Sequence, residues 1–144
     1  MTFMENGYTH RVHYYETDKM AVVHHSNYIR WMEEARVAFL DEIGAGFAGM
    51  EARGILSPVI GVEGRYLRPC RFDDRVRINV WITEFRGVRL RVAYEMFNET
   101  TGETVFTGTS EHCFTDAQGN LIVLKRVCPD IDAALRAAVE KPSP

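Results

Sequence analysis

Between Tyr28 and Ile43 the apolar residues Tyr28, Trp31, Met32, Ala35, Val37, Ala38, Phe39 and Ile43 recur at helical spacing. Arg30, Glu33, Glu34, Arg36, Asp41 and Glu42 occupy much of the remainder, so the stretch reads as a helix with one face for a core. Ser26 or Asn27 can cap it, because a short side-chain oxygen satisfies an orphan backbone N–H. Gly44 ends it with a residue that accepts positive φ. After Gly54 the apolar period falls to that of a strand and stays there. One long helix followed by strands in hairpin succession predicts an α+β fold, with the helix packed on one face of an antiparallel sheet.

Thr9 to Tyr15 reads as the first strand, Glu16 to His24 as a loop, and Gly46 to Gly54 as a short helical turn. Ile55 to Leu67 is the second strand, with a bend or bulge expected at Pro58 and Gly61. Pro69 to Asp74 turns the chain. Asp74 to Arg86 alternates, with Val76, Ile78, Val80 and Ile82 on one face, and Val88 to Asn98 repeats the pattern with Leu90, Val92, Tyr94 and Met96. Arg86-Gly87 marks the hairpin between them. Glu103 to Thr115 is the last strand, and Pro129 to Glu140 a C-terminal helix with Pro129 or Asp130 at its start. The other sheet face carries Arg75, Arg77, Trp81, Arg89, Arg91 and Phe97, a mixture that suits a subunit interface or an exposed sheet.

At 144 residues the chain fits one domain with its own core, spanning about residues 9–115 before the C-terminal helix. A formal net charge of −3 argues against a nucleic-acid-binding surface. No apolar run is long enough to span a bilayer, and Met1 to Gly7 lacks the features of a secretory signal. Cys70, Cys113 and Cys128 are odd in number and widely spaced, which predicts reduced, buried thiols in a cytoplasmic protein.

Chemistry concentrates just before the helix. Asp18 is a carboxylate placed to attack a carbonyl or deprotonate water, or simply a turn-forming residue. His25 sits at the expected helix entry, where it either assists that chemistry or only packs. His24 beside it reads as structural. A metal site from Asp18, His24 and His25 is disfavoured, because adjacent histidines seldom share an ion, and the other three histidines show no ligand spacing. Free N–H groups and the positive dipole end of the helix can receive a developing oxyanion.

The run Tyr15-Glu16-Thr17-Asp18-Lys19-Met20-Ala21-Val22-Val23-His24-His25-Ser26-Asn27-Tyr28, followed by Trp31 and Glu33-Glu34-Ala35-Arg36, resembles the hot-dog acyl-CoA thioesterases. Within them it is similar to the 4-hydroxybenzoyl-CoA thioesterase-like branch, including the Tol-Pal-associated (YbgC-type) enzymes. The resemblance continues through Val62 to Pro69, Asp73-Asp74 and the Arg86-Gly87 hairpin. It implies a hot-dog fold, a five-stranded antiparallel sheet wrapped around the long helix, and hydrolysis of a short- or medium-chain or aromatic acyl-CoA. It also implies Asp18 as nucleophile or general base, His25 as its assistant and the His25 amide as oxyanion donor. Glu33 aligns with a substrate-reading acid of the family, or is simply solvated. Arg86 and then Arg89 suit the coenzyme A phosphates, with Arg65 and Arg68 as second contacts or solvated strand ends. Tyr28, on the helix face that meets the sheet, is core or a substrate contact. No metal or redox cofactor is implied. The site would lie between subunits of a dimer or a dimer of dimers.

Two rival readings stay open. A hot-dog hydratase also places an Asp and a His near the helix, though at tighter spacing. A non-catalytic acyl-CoA sensor would keep the pocket and lose the chemistry. One departure from the family pattern stands inside the motif: many members have glycine where this chain has Ala21. If that position needs positive φ, the loop must shift or carry strain.

Overall fold

The computed structural model describes residues 7–140, so the Met1 to Gly7 stretch falls almost wholly outside the described residues. Five strands form one antiparallel sheet: β1 (Tyr8–Arg11), β2 (Val59–Tyr66), β3 (Arg75–Phe85), β4 (Leu90–Asn98) and β5 (Glu103–His112). Their spatial order is β1-β3-β4-β5-β2, so the chain's second strand closes the far edge. The long helix α1 (Ser26–Glu42) lies against the inner face. A short helix α2 (Phe47–Ala52) follows it, and α3 (Leu124–Val127) and α4 (Pro129–Ala137) come after the sheet. The fold is the hot-dog α+β arrangement expected from the sequence.

Alternation explains the core. Val76, Ile78, Val80 and Ile82 of β3 and Leu90, Val92, Tyr94 and Met96 of β4 are buried, and they face Trp31, Met32, Ala35, Phe39 and Leu40 of α1. The expected bulge in β2 is present, as a register shift between Val59 and Gly61 against β5. Gly44 (φ 88) terminates α1 as anticipated. Cys70, Cys113 and Cys128 are free and buried.

Several expectations are corrected. The first strand stops at Arg11, and Tyr14–Glu16 forms a 3-10 turn, leaving Tyr14 and Tyr15 exposed. β2, β4 and β5 are shorter than read, and α4 ends at Ala137 rather than Glu140. Neither Ser26 nor Asn27 caps α1. His25 occupies the cap position without a side-chain hydrogen bond, because the Ser26 hydroxyl pairs with His24 and the Asn27 side chain is drawn back to the Glu16 carbonyl.

Arg36, assigned to the solvent face, is buried instead. Its Nη1 donates to the Tyr94 hydroxyl at 3.0 Å, and Tyr94 continues through Ser110 (2.6 Å) to the His112 Nε2 (2.7 Å). Burial and the nearby Arg36 charge push the His112 imidazole down to about 4, so it is neutral at physiological pH.

Candidate active site

The loop between β1 and α1 is built on Glu16. Its Oε1 accepts the His13 backbone N–H (2.8 Å) and pairs with His10 Nε2 (2.8 Å), while Oε2 accepts the Trp31 indole N–H at 2.6 Å. Its carbonyl accepts the His24 N–H and the Asn27 side-chain amide, both at 2.9 Å. Burial alone would raise the Glu16 carboxyl, but these donors outweigh it and hold the group below the usual carboxylate range. One buried side chain thus ties the end of β1 to the first turns of α1.

Two residues on, the chain makes a tight excursion. Thr17 and Val23 pair as an isolated bridge, the Asp18 N–H donates to Val22 O (2.9 Å), and Asp18 Oδ1 accepts the Met20 N–H (2.8 Å). Asp18 is therefore a turn-former as well as a candidate for chemistry, with Oδ2 free of any hydrogen bond among the described residues. Ala21 closes the turn at φ 61, a left-handed conformation that costs an L-residue with a Cβ about 1 kcal/mol. The loop carries the strain at this position.

At the entry of α1 the N–H groups are mostly taken. Ser26 N–H donates to His24 Nδ1 (3.2 Å), Asn27 N–H to His24 O (3.0 Å) and Tyr28 N–H to His25 O (3.4 Å). A backbone N–H can only donate, so His24 Nδ1 is an acceptor and the His24 ring is locally engaged, as its structural reading anticipated. The His25 N–H has no acceptor among the described residues. The His25 carbonyl is held by the Tyr66 hydroxyl at 3.0 Å, a contact from the end of β2 that sequence reasoning missed. Tyr66 is separated from His25 by 41 positions, and no local pattern links them.

Asp18, His25 and Tyr28 line a common cavity of about 300 Å³, together with Tyr66 and Arg68. Asp18 also borders a second, larger cavity of about 780 Å³ with His24, Arg30 and Glu33. Tyr28 is buried and stacks on Phe106 at 5.3 Å, so it is part of the core as well as a wall of the site. Burial, with the Cys70 thiol beside it, drives its phenol upward; burial raises Cys70 itself to about 11. Neither is a base or nucleophile near neutral pH.

The remaining predicted contacts are elsewhere in this chain. Arg86 and Arg89 lie in the exposed β3–β4 turn, where Arg86 pairs with Glu84 at 3.1 Å. They line neither cavity. Arg65 faces a third cavity, on the outer side of the sheet with Trp81. The histidine spacing also needs correction: potential ligand atoms of His10, His13 and Glu16 lie within 4.8 Å of one another.

Residues 12–139 match the model of the thioesterase-like superfamily. YneP of Bacillus subtilis (strain 168), a candidate acyl-CoA thioesterase by its name, is 32% identical over 88% of this chain and 92% of its own. The crystal structure of a DHNA-CoA thioesterase from Staphylococcus aureus superposes with a TM-score of 0.86 at 33% identity, covering 90% of this chain and 87% of that one. A protein of Thermus thermophilus described as hypothetical superposes at 0.83 with 31% identity, over 93% and 97% of the two chains. The chain belongs to the thioesterase-like superfamily and is a thioester hydrolase.

Proposed function

We propose that the chain hydrolyses acyl-CoA thioesters to free acid and coenzyme A at the smaller cavity, with Asp18 and His25 as its reacting groups. The observation that carries this reading is their common wall at the entry of α1. As nucleophile, the Asp18 carboxylate attacks the carbonyl carbon, the C–S bond breaks and the thiolate leaves; water then hydrolyses the acyl-aspartyl anhydride. As general base, Asp18 takes a proton from water while that oxygen forms the new C–O bond. His25 orients the water or protonates the departing sulfur. Either route builds negative charge on the carbonyl oxygen, and the unpaired His25 N–H at the positive end of α1 is the donor for it. No step passes through a metal or redox cofactor.

Arg86 and Arg89 suit the coenzyme's phosphates but stand away from the cavity, so a second subunit must supply them. The edge strand supports a homodimer or a dimer of dimers: Val59, Ile60, Val62 and Tyr66 of β2 are each at least 41% exposed. Such an unpaired apolar edge is a template for another strand. Glu33 lines the larger cavity, which Asp18 also borders, and its carboxylate suits reading a polar acyl group there. The acyl group is short- or medium-chain or aromatic, and the Staphylococcus neighbour's DHNA-CoA favours the aromatic arm. Three buried, free thiols suit a reducing cytoplasm.

Thiol release, followed with a chromogenic reagent over aliphatic and aromatic acyl-CoAs, tests the reading. Turnover of at least one class is expected. Binding without thiol release would make the protein a sensor, and loss of enoyl absorbance from crotonyl-CoA without thiol release would make it a hydratase.

A further inference from the structure

His10, His13 and Glu16 bring two imidazoles and a carboxylate together where β1 gives way to the 3-10 turn. The spacing of three residues between successive donors would scatter them along a strand. The turn folds Glu16 back beneath His13, with the Glu16 N–H on His13 O at 3.0 Å. His10 and Glu16 are buried and His13 is exposed, so the cluster has a fixed floor and one movable arm.

The supports around these donors are those a metal site needs. A ligating histidine usually passes its second ring nitrogen to a carboxylate, which fixes the ring and raises its basicity. His10 does this: Nε2 faces Glu16 and Nδ1 lies 3.3 Å from Glu34 Oε2. A ligating carboxylate is likewise oriented by its second oxygen, and Glu16 Oε2 is gripped by the Trp31 indole. Trp31 also backs the His10 ring at 4.6 Å between centroids. The three donors border the larger cavity of about 780 Å³, which leaves room for water or an exogenous ligand.

From this arrangement we propose that His10, His13 and Glu16 form a site for a borderline divalent cation of the zinc class, open on the fourth side to the larger cavity. Two imidazoles with one carboxylate are a donor set that such ions accept, with bonds of about 2.0–2.2 Å. Rotation of the exposed His13 ring closes the set. The ion takes the place of the proton between His10 Nε2 and Glu16 Oε1, and that proton is released to solvent. Asp18 is not among the ligands; the ion sits beside the proposed reaction site and clamps the loop that leads to it.

Tag-free protein titrated with Co²⁺, read by visible absorption and competed with Zn²⁺, tests the site independently of any hydrolysis. One ion per chain is expected. His13→Ala, whose exposed ring lies outside the core, should weaken binding at least tenfold with unchanged circular dichroism. Glu34→Gln keeps every ligand and should weaken it by about tenfold through the loss of His10 support. His24→Ala, on the same cavity, should leave the titration unchanged. No stoichiometric binding by the wild type, equal binding by His13→Ala, or loss of binding in His24→Ala would overturn the assignment.

Discussion

The Trp31 indole N–H donates to Glu16 Oε2 at 2.6 Å across fifteen positions of sequence, fastening α1 to the loop that carries Asp18. The Glu16 carbonyl takes the Asn27 side chain, and its buried carboxylate also receives the His13 amide and pairs with His10, so one residue sets the path of the chain on both sides. Glu16→Ala removes the carboxylate and strands the Trp31, His13 and His10 donors, while Asn27 keeps its backbone acceptor. It should cost about 3 kcal/mol in denaturant unfolding, against less than half of that for an exposed glutamate on α1 such as Glu42.

Acid should unfold the protein in two stages. His112 is neutral and buried with its folded value near 4, below that of the unfolded chain, so the unfolded state takes up protons first. Stability therefore falls as pH drops from about 6.5 toward 4, by up to about 3 kcal/mol in total. Glu16 lies below the ordinary carboxylate range, so its contribution is intact above about 4.3 and is lost only as pH falls through its lowered value. Chemical denaturation against pH should show the upper stage flattened in His112→Gln and the lower stage flattened in Glu16→Gln.

Ala21→Gly should stabilise the protein by up to about 0.5 kcal/mol, since φ 61 is free to glycine. Part of the relief is offset by the greater freedom of glycine in the unfolded chain. A thermal melt raised by about 1–2 °C is the expected result.

Assembly should depend on β2. The wild type should sediment as a dimer or larger, and Val62→Glu, which places a charge on the exposed inner edge, should shift it to monomer. Thiol release should fall in parallel, because Arg86 and Arg89 then have no route to the site.

Much of this was legible in the sequence, for identifiable reasons. Helical and strand periods report which face is buried, and they placed α1, β3 and β4 with their inward residues. The local Asp18–Tyr28 motif supplied Asp18, His25 and Tyr28, one side of the smaller cavity. What stayed hidden depends on contacts distant in sequence. Arg36 looked like a solvent-face charge until Tyr94, Ser110 and His112 arrived from the sheet to bury it. Glu16 passed for a loop residue, since its partners Trp31 and Asn27 lie on the helix. Tyr66 could not be tied to His25 before β2 took its place at the sheet edge.

Thioester hydrolysis at the smaller cavity turns on Asp18, and Asp18→Asn isolates its role. Asparagine keeps the oxygen that accepts the Met20 N–H, so the turn and the melting temperature should be preserved. Thiol release from the best acyl-CoA should fall by about 10²–10⁴-fold, as expected when a general base or nucleophile is removed. A folded Asp18→Asn protein that turns over at a near-normal rate would rule out Asp18 as the reacting group.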